Sequence, residues 1–180
     1  MSAPAPLAGQ APPPDADRRG GRAWVFGDNV DTDVLAPGLY MKGPVGELAK
    51  HCLEALDPRF AREARPGDIV VGGANFGMGS SREQAAMAVK ALGIAAVVAK
   101  SFARIFYRNA MNLALPVLVC PEAGAIAAGD RLVLHAAEGR LENLTQGRVF
   151  DCEPIPPHLL AMIADGGLLP HLAKKLKARA

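Results

Sequence analysis

Residues 68–120 read DIVVGGANFGMGSSREQAAMAVKALGIAAVVAKSFARIFYRNAMNLALPVLVC, and their texture decides the fold class. Asp68 to Val71 is a short apolar run of the kind a buried strand shows. Ser81 through Leu92 has helix-forming composition, with apolar Ala85, Met87, Ala88, Val89 and Leu92, and Gly93 follows as a C-terminal stop. Ile94 to Ala99 is a second continuous apolar run. SFARIFYRNAMNLA (101–114) then predicts a second helix with Ser101 as N-cap, and LPVLVC (115–120) a third strand. Strand, helix, strand, helix, strand at this spacing predicts an α/β fold with parallel strands joined by right-handed crossovers.

On the N-terminal side, RAWVFGDNVDTDVLAPGLYM (22–41) reads as short strands and polar turns. VGELAKHCLEALDPRFAREA (45–64) predicts an amphipathic helix that buries Val45, Leu48, Cys52, Leu53 and Leu56 and is closed by Pro58. On the C-terminal side, DRLVLHAAEGRLENLTQGRVFDCEPIP (130–156) has short strand signals with turns at Gly139 and Gly147, so antiparallel hairpins are expected. The chain ends in two helical segments around Gly166-Gly167. Residues 1–21, rich in Ala and Pro, are expected to be a disordered arm, and 22–180 a single domain.

Composition removes several classes of function. The net charge is +2, and no basic stripe with interleaved aromatics exists, so no nucleic-acid surface is expected. No apolar run is long enough for a membrane span or a signal peptide. The three cysteines, Cys52, Cys120 and Cys152, are scattered and odd in number, which fits reduced thiols in the cytoplasm better than a disulfide framework or a metal site. The four histidines are equally dispersed. No metal ligation by this chain is expected.

The loop NFGMGSSRE (75–83) carries the chemistry. Gly72 and Gly77 have the spacing of a phosphate-binding P-loop, but Met78 stands where its lysine must be. A dinucleotide fingerprint after Gly77-x-Gly79 needs a third glycine, and Arg82 occupies that place. A G-x-S-x-G nucleophile elbow fails on the same residue. What remains is a tight turn that projects Ser80, Ser81 and Arg82 from a helix N-terminus, where free N–H groups attract anions and the guanidinium fits a carboxylate. A small carboxylic acid is therefore the expected ligand. The same field would stabilise a serine alkoxide acting as a base. Local chemistry also leaves open that Ser80 and Ser81 are helix caps, with Glu83 as a dipole-compatible acid.

Four blocks in order, GDNVDTDVLAPGLY, GDIVVGGANFGMGSSREQA, AKSFARIFYRNAMNLALPVL and the late GGLL, resemble the small subunit of 3-isopropylmalate dehydratase and its relatives, the swivel domain of the aconitase superfamily. The resemblance runs from about Trp24 to about Leu169. It implies a three-layer β/β/α swivel domain of the aconitase C-terminal type. It also implies a hydro-lyase reaction, the dehydration and rehydration that moves a hydroxyl between neighbouring carbons of a hydroxy acid. In such proteins a [4Fe-4S] cluster sits in a separate large subunit. The implied assembly is therefore a heterodimer or heterotetramer, with homo-oligomers open for the isolated chain.

By the same resemblance Ser80 is the base that removes a proton from carbon, while Ser81 and Arg82 bind a substrate carboxylate. Asp33 is implied at the site's edge, orienting a histidine of the large subunit; a turn role in an Asx-rich loop is the alternative for it. The specificity loop maps to Tyr40, Met41 and Lys42, where an apolar loop would suit an isopropyl group and a cation a distal carboxylate. Two positions depart from the family pattern: Met78 stands where Cys is common, and Gln84, which cannot titrate, where His is common. Leucine biosynthesis is the expected setting. Related dehydratases of 2,3-dimethylmalate, homoaconitate or citraconate type, and a non-catalytic anion-binding module, are the alternatives.

Overall fold

The structure, a computed structural model, describes residues 20–179. In chain order it contains β1 (Gly21–Val25), α1 (Thr32–Leu35), α2 (Val45–Ala49), α3 (Phe60–Glu63), β2 (Ile69–Gly72), α4 (Glu83–Ala91), β3 (Ala96–Ala99), α5 (Arg104–Asn112), β4 (Val117–Val119), β5 (Arg131–His135), β6 (Arg140–Asn143), β7 (Arg148–Asp151), α6 (Pro157–Ala164) and α7 (Leu168–Arg179). The expected Ala/Pro-rich arm lies outside the described residues, apart from Gly20 and Gly21. Gly21 already opens β1, one residue before the expected boundary.

The seven strands form one sheet in the order β4-β3-β2-β1-β5-β6-β7. The strands β1 to β4 are mutually parallel, whereas β5, β6 and β7 run antiparallel and join through β1, which pairs parallel with β2 and antiparallel with β5. Burial follows this division. Every residue of β2 and β3 is buried, as expected of parallel strands covered on both faces, while β5 and β6 alternate buried and partly exposed positions. Val, Ala, Leu and Ile dominate a single core cluster that takes residues from both halves, including Val97 and Leu118 from one and Leu132, Leu141 and Phe150 from the other. The expected α/β architecture, its parallel crossover block and its antiparallel hairpins are all present.

Three expectations fail locally, two of them for a tertiary reason. The helix expected from Val45 to Leu56 stops as α2 at Ala49. Leu53 takes φ +58° and donates its N–H to the Val34 carbonyl at 2.8 Å, so a contact with the α1 segment replaces the next helical turn. Leu56 is accordingly 51% exposed. The helix expected from Ser81 begins as α4 at Glu83, with extended Arg82 at its cap. The helix α5 begins at Arg104 with no side-chain cap. Ser101 instead accepts the Asn75 N–H on its Oγ at 2.8 Å.

Because β1, β2 and β3 are parallel neighbours, the loops leaving their C-terminal ends meet at one edge of the sheet. They are tied by backbone hydrogen bonds: Gly73 N–H to Gly27, Asn29 N–H to Ala74, Gly77 N–H to Val30, and Phe76 N–H to Ser101. The edge so formed carries the serine–arginine loop.

Candidate active site

Close approach of other groups, at several points, shapes the loop between β2 and α4. A Cβ on Gly73 would lie 1.9 Å from Asp28 Oδ1, which accepts the Ala74 N–H at 2.7 Å. Gly77 has φ +79°, and a Cβ there would lie 2.3 Å from the Phe106 ring. At Gly79, with φ +103°, a Cβ would lie 2.7 and 2.9 Å from the two Asp31 carboxylate oxygens. Glycine at 77 and 79 thus serves a left-handed backbone and close contact at once. Asn75 spans the turn, donating its side-chain amide to Asn29 Oδ1 at 3.2 Å and to the Met78 sulfur at 3.4 Å.

The partner of this loop is the segment Asp31-Thr32-Asp33. Asp31 caps α1 by accepting the Asp33 N–H at 2.7 Å. Thr32 donates its N–H to the Met78 carbonyl at 2.8 Å and its hydroxyl to the Ser80 carbonyl at 3.1 Å. Asp33 forms an ion pair with Arg82, whose guanidinium also donates to the Ala36 carbonyl at 3.2 Å. Arg82 is largely sheltered, with 21% of its side chain exposed, against 63% for Asp33. A sheltered guanidinium therefore presents to an open edge, and the group it holds there is a carboxylate.

Ser80 and Ser81 are exposed immediately before α4. Among the described residues the N–H groups of Ser81, Arg82 and Glu83 find no backbone or side-chain acceptor. They are the free donors of a helix N-terminus, and the dipole of the nine-residue α4 adds to their field. Four of the expected site residues, Ser80, Ser81, Arg82 and Asp33, thus share one edge. Asp33 does more than make a turn, because it holds Arg82.

The expected specificity loop lies beside this edge in sequence, following α1. Tyr40 ends a 3-10 turn over Gly38–Tyr40, and its ring stacks on His51 with centroids 3.5 Å apart and planes 1° apart. Met41 is half-buried against the core and Lys42 is exposed. Leu39, passed over in the sequence, is 84% exposed. Thr32, Asp31 and Asp28 were missed as well. Their only signal was an Asp/Asn-rich turn, which does not say what the turn holds.

Among the described residues, no group of three or more His, Cys, Asp or Glu side chains is placed to hold a metal ion. Cys52 and Cys120 are buried and Cys152 is half-buried, and burial pushes the Cys52 thiol up. Among the described residues these thiols do not converge with further ligands as a cluster requires. No described helix is long and apolar enough to cross a membrane.

A model of the aconitase C-terminal domain matches residues 51–122. The 3-isopropylmalate dehydratase small subunit of Moorella thermoacetica is 50% identical over 159 residues, covering 87% of this chain and 96% of that protein. The protein of the same name from Methanosarcina acetivorans is 45% identical over 160 residues, covering 88% of this chain and 99% of that one. Among solved structures, 3-isopropylmalate dehydratase from Methanocaldococcus jannaschii superposes with a TM-score of 0.85 at 40% identity, covering 89% of this chain and 96% of that one.

Proposed function

The chain belongs to the family of 3-isopropylmalate dehydratase small subunits, and from that premise we propose that it is the small subunit of the hydro-lyase that converts 2-isopropylmalate to 3-isopropylmalate in leucine biosynthesis. The observation that carries this reading is the sheltered Arg82 guanidinium with a carboxylate already on it, directly following two exposed serines and beside free helix N–H groups. In the working site a substrate carboxylate takes the place that Asp33 holds here. Ser81 and the free amides add donors to it, and Arg82 fixes its plane through a two-pronged contact.

Ser80, as alkoxide, takes the proton from the carbon next to the one bearing hydroxyl. Electrons of that C–H bond form the C=C bond as hydroxide departs, and water then adds back with the carbons exchanged. An alkoxide at pH 7 needs strong local stabilisation, and the N-terminal end of α4 is a place that provides it. Departure of hydroxide needs a Lewis acid, which this reading assigns to a [4Fe-4S] cluster in a large subunit, since the thiols of this chain do not fit the role. Asp33, released from Arg82, is then free to orient a histidine of that subunit.

The test is anaerobic reconstitution with a cluster-bearing large subunit, comparing turnover of isopropylmalate, citrate, homocitrate and dimethylmalate. Isopropylmalate is expected to be preferred, with no turnover by either subunit alone. Preference for another acid would move the assignment to a related dehydratase. Tight binding of hydroxy acids to this chain alone, with no turnover in the complex, would favour a non-catalytic anion-binding module.

A further inference from the structure

Four polar or charged side chains are buried among the described residues: Thr32, Asp68, Asp130 and Asn143. Three of them serve the frame. Asp68 accepts Trp24 Nε1–H and the Arg22 and Arg65 N–H groups, and Asp130 and Asn143 are bonded to each other beside the β5–β6 hairpin. Thr32, only 2% exposed, differs: the one side-chain hydrogen bond it makes goes to the carbonyl of Ser80. Valine would fill the same space without burying a hydroxyl, so the reason for threonine here is that bond.

Its direction has a consequence for Ser80. The peptide linking Ser80 to Ser81 is trans, as are all those described. In a trans peptide the carbonyl and the following N–H point in opposite directions. With the Ser80 carbonyl drawn inward to a buried hydroxyl, the Ser81 N–H points away from Thr32, and both serines are exposed residues. The flanking backbone cannot do this alone. Gly79 precedes Ser80 at φ +103°, a region open to rotation, and the Ser81 and Arg82 N–H groups have no acceptors among the described residues.

We infer that Thr32 is a positioning residue for the reaction: its hydroxyl locks the Ser80–Ser81 peptide so that the Ser80 oxygen and the Ser81 N–H face the reacting carbon and its carboxylate together. This rests on the assignment of Ser80 as base. Thr32 touches no substrate. Its effect passes through one peptide plane, and it should appear in the chemical step more than in substrate binding, because Arg82, the charged anchor of the carboxylate, keeps its bond to the Ala36 carbonyl once Asp33 is released.

The experiment compares Thr32→Val, Thr32→Ser and Ser80→Ala in the reconstituted two-subunit enzyme, with the urea midpoint of each chain measured in parallel. Thr32→Val should lower kcat by about tenfold or more with KM changed less than about twofold, and Thr32→Ser should restore kcat to within about threefold. In the isolated chain, amide NMR should show the Ser81 and Arg82 resonances shifted in Thr32→Val and restored in Thr32→Ser. Should Thr32→Val not fold, Thr32→Cys, with only a weak S–H donor, carries the same expectation. Wild-type kcat in the folded donor-less variant, or equal losses in Thr32→Ser and Thr32→Val, would overturn the positioning role. Full turnover by Ser80→Ala would overturn the base assignment itself, whereas its inactivity beside a fully active Thr32→Val would overturn this inference alone.

Discussion

Arg82 meets both the Asp33 carboxylate and the Ala36 carbonyl through Nη1, so that prong of its fork is placed before any ligand arrives. Arg82→Lys should therefore raise KM by about tenfold or more in the reconstituted enzyme, since a point charge cannot reproduce a planar two-pronged contact; steady-state kinetics check this. Gly77 and Gly79 are two residues apart, yet substitution should separate stability from activity. At Gly77 a methyl group would collide with the core ring of Phe106 on a positive-φ backbone, so Gly77→Ala should lower unfolding free energy by about 1–3 kcal/mol in urea titration. At Gly79 the collision is with the Asp31 carboxylate at an exposed edge. Gly79→Ala, also strained at φ +103°, should in addition lower kcat, by displacing Ser80.

At the scale of elements, two carboxylates hold neighbours together by different means. Asp68 sits just before β2 and satisfies the indole N–H of Trp24 in β1 with two further backbone donors. Asp68→Ala would leave those donors unpaired at the β1–β2 seam and should cost about 3 kcal/mol, followed by the fluorescence of Trp24, the only tryptophan. Asp165 ends α6 and accepts Lys174 Nζ and His171 Nδ1 of α7, each at 2.6 Å. Those hydrogen bonds, Lys174 first, hold its carboxyl below the ordinary carboxylate range. Such a group stabilises the fold above its unfolded-state value, and the contribution is lost as pH falls through the lower, folded value. Protection factors of the α7 amides, taken against the intrinsic exchange rate at each pH, should therefore fall as the solution is taken to acid, and Asp165→Asn should weaken that pH dependence.

At the scale of the whole chain, one core cluster spans the parallel and antiparallel halves of the sheet. Unfolding should be a single transition, with Trp24 fluorescence and far-UV circular dichroism coinciding; two separated transitions would divide the chain into units. The sequence by itself determined the periodic part of this protein. Continuous apolar runs at 69–71 and 94–99, each followed by a helix-forming segment, left little choice but buried parallel strands, because only a sheet covered on both faces hides such runs. It also brought the polar groups of the loop together, since Ser80, Ser81 and Arg82 are adjacent in the chain. Tertiary structure alone decided where α2 ends, because a bond from Leu53 to Val34 outweighs local helix propensity. It alone decided that Asp33 meets Arg82 and that Thr32 lies under the Ser80 carbonyl, 48 residues further on. The reason is physical: the pattern of apolar residues selects strands and helices through short-range periodicity, whereas a hydrogen bond between two loops exists only after parallel β1 and β2 have brought their C-terminal ends together.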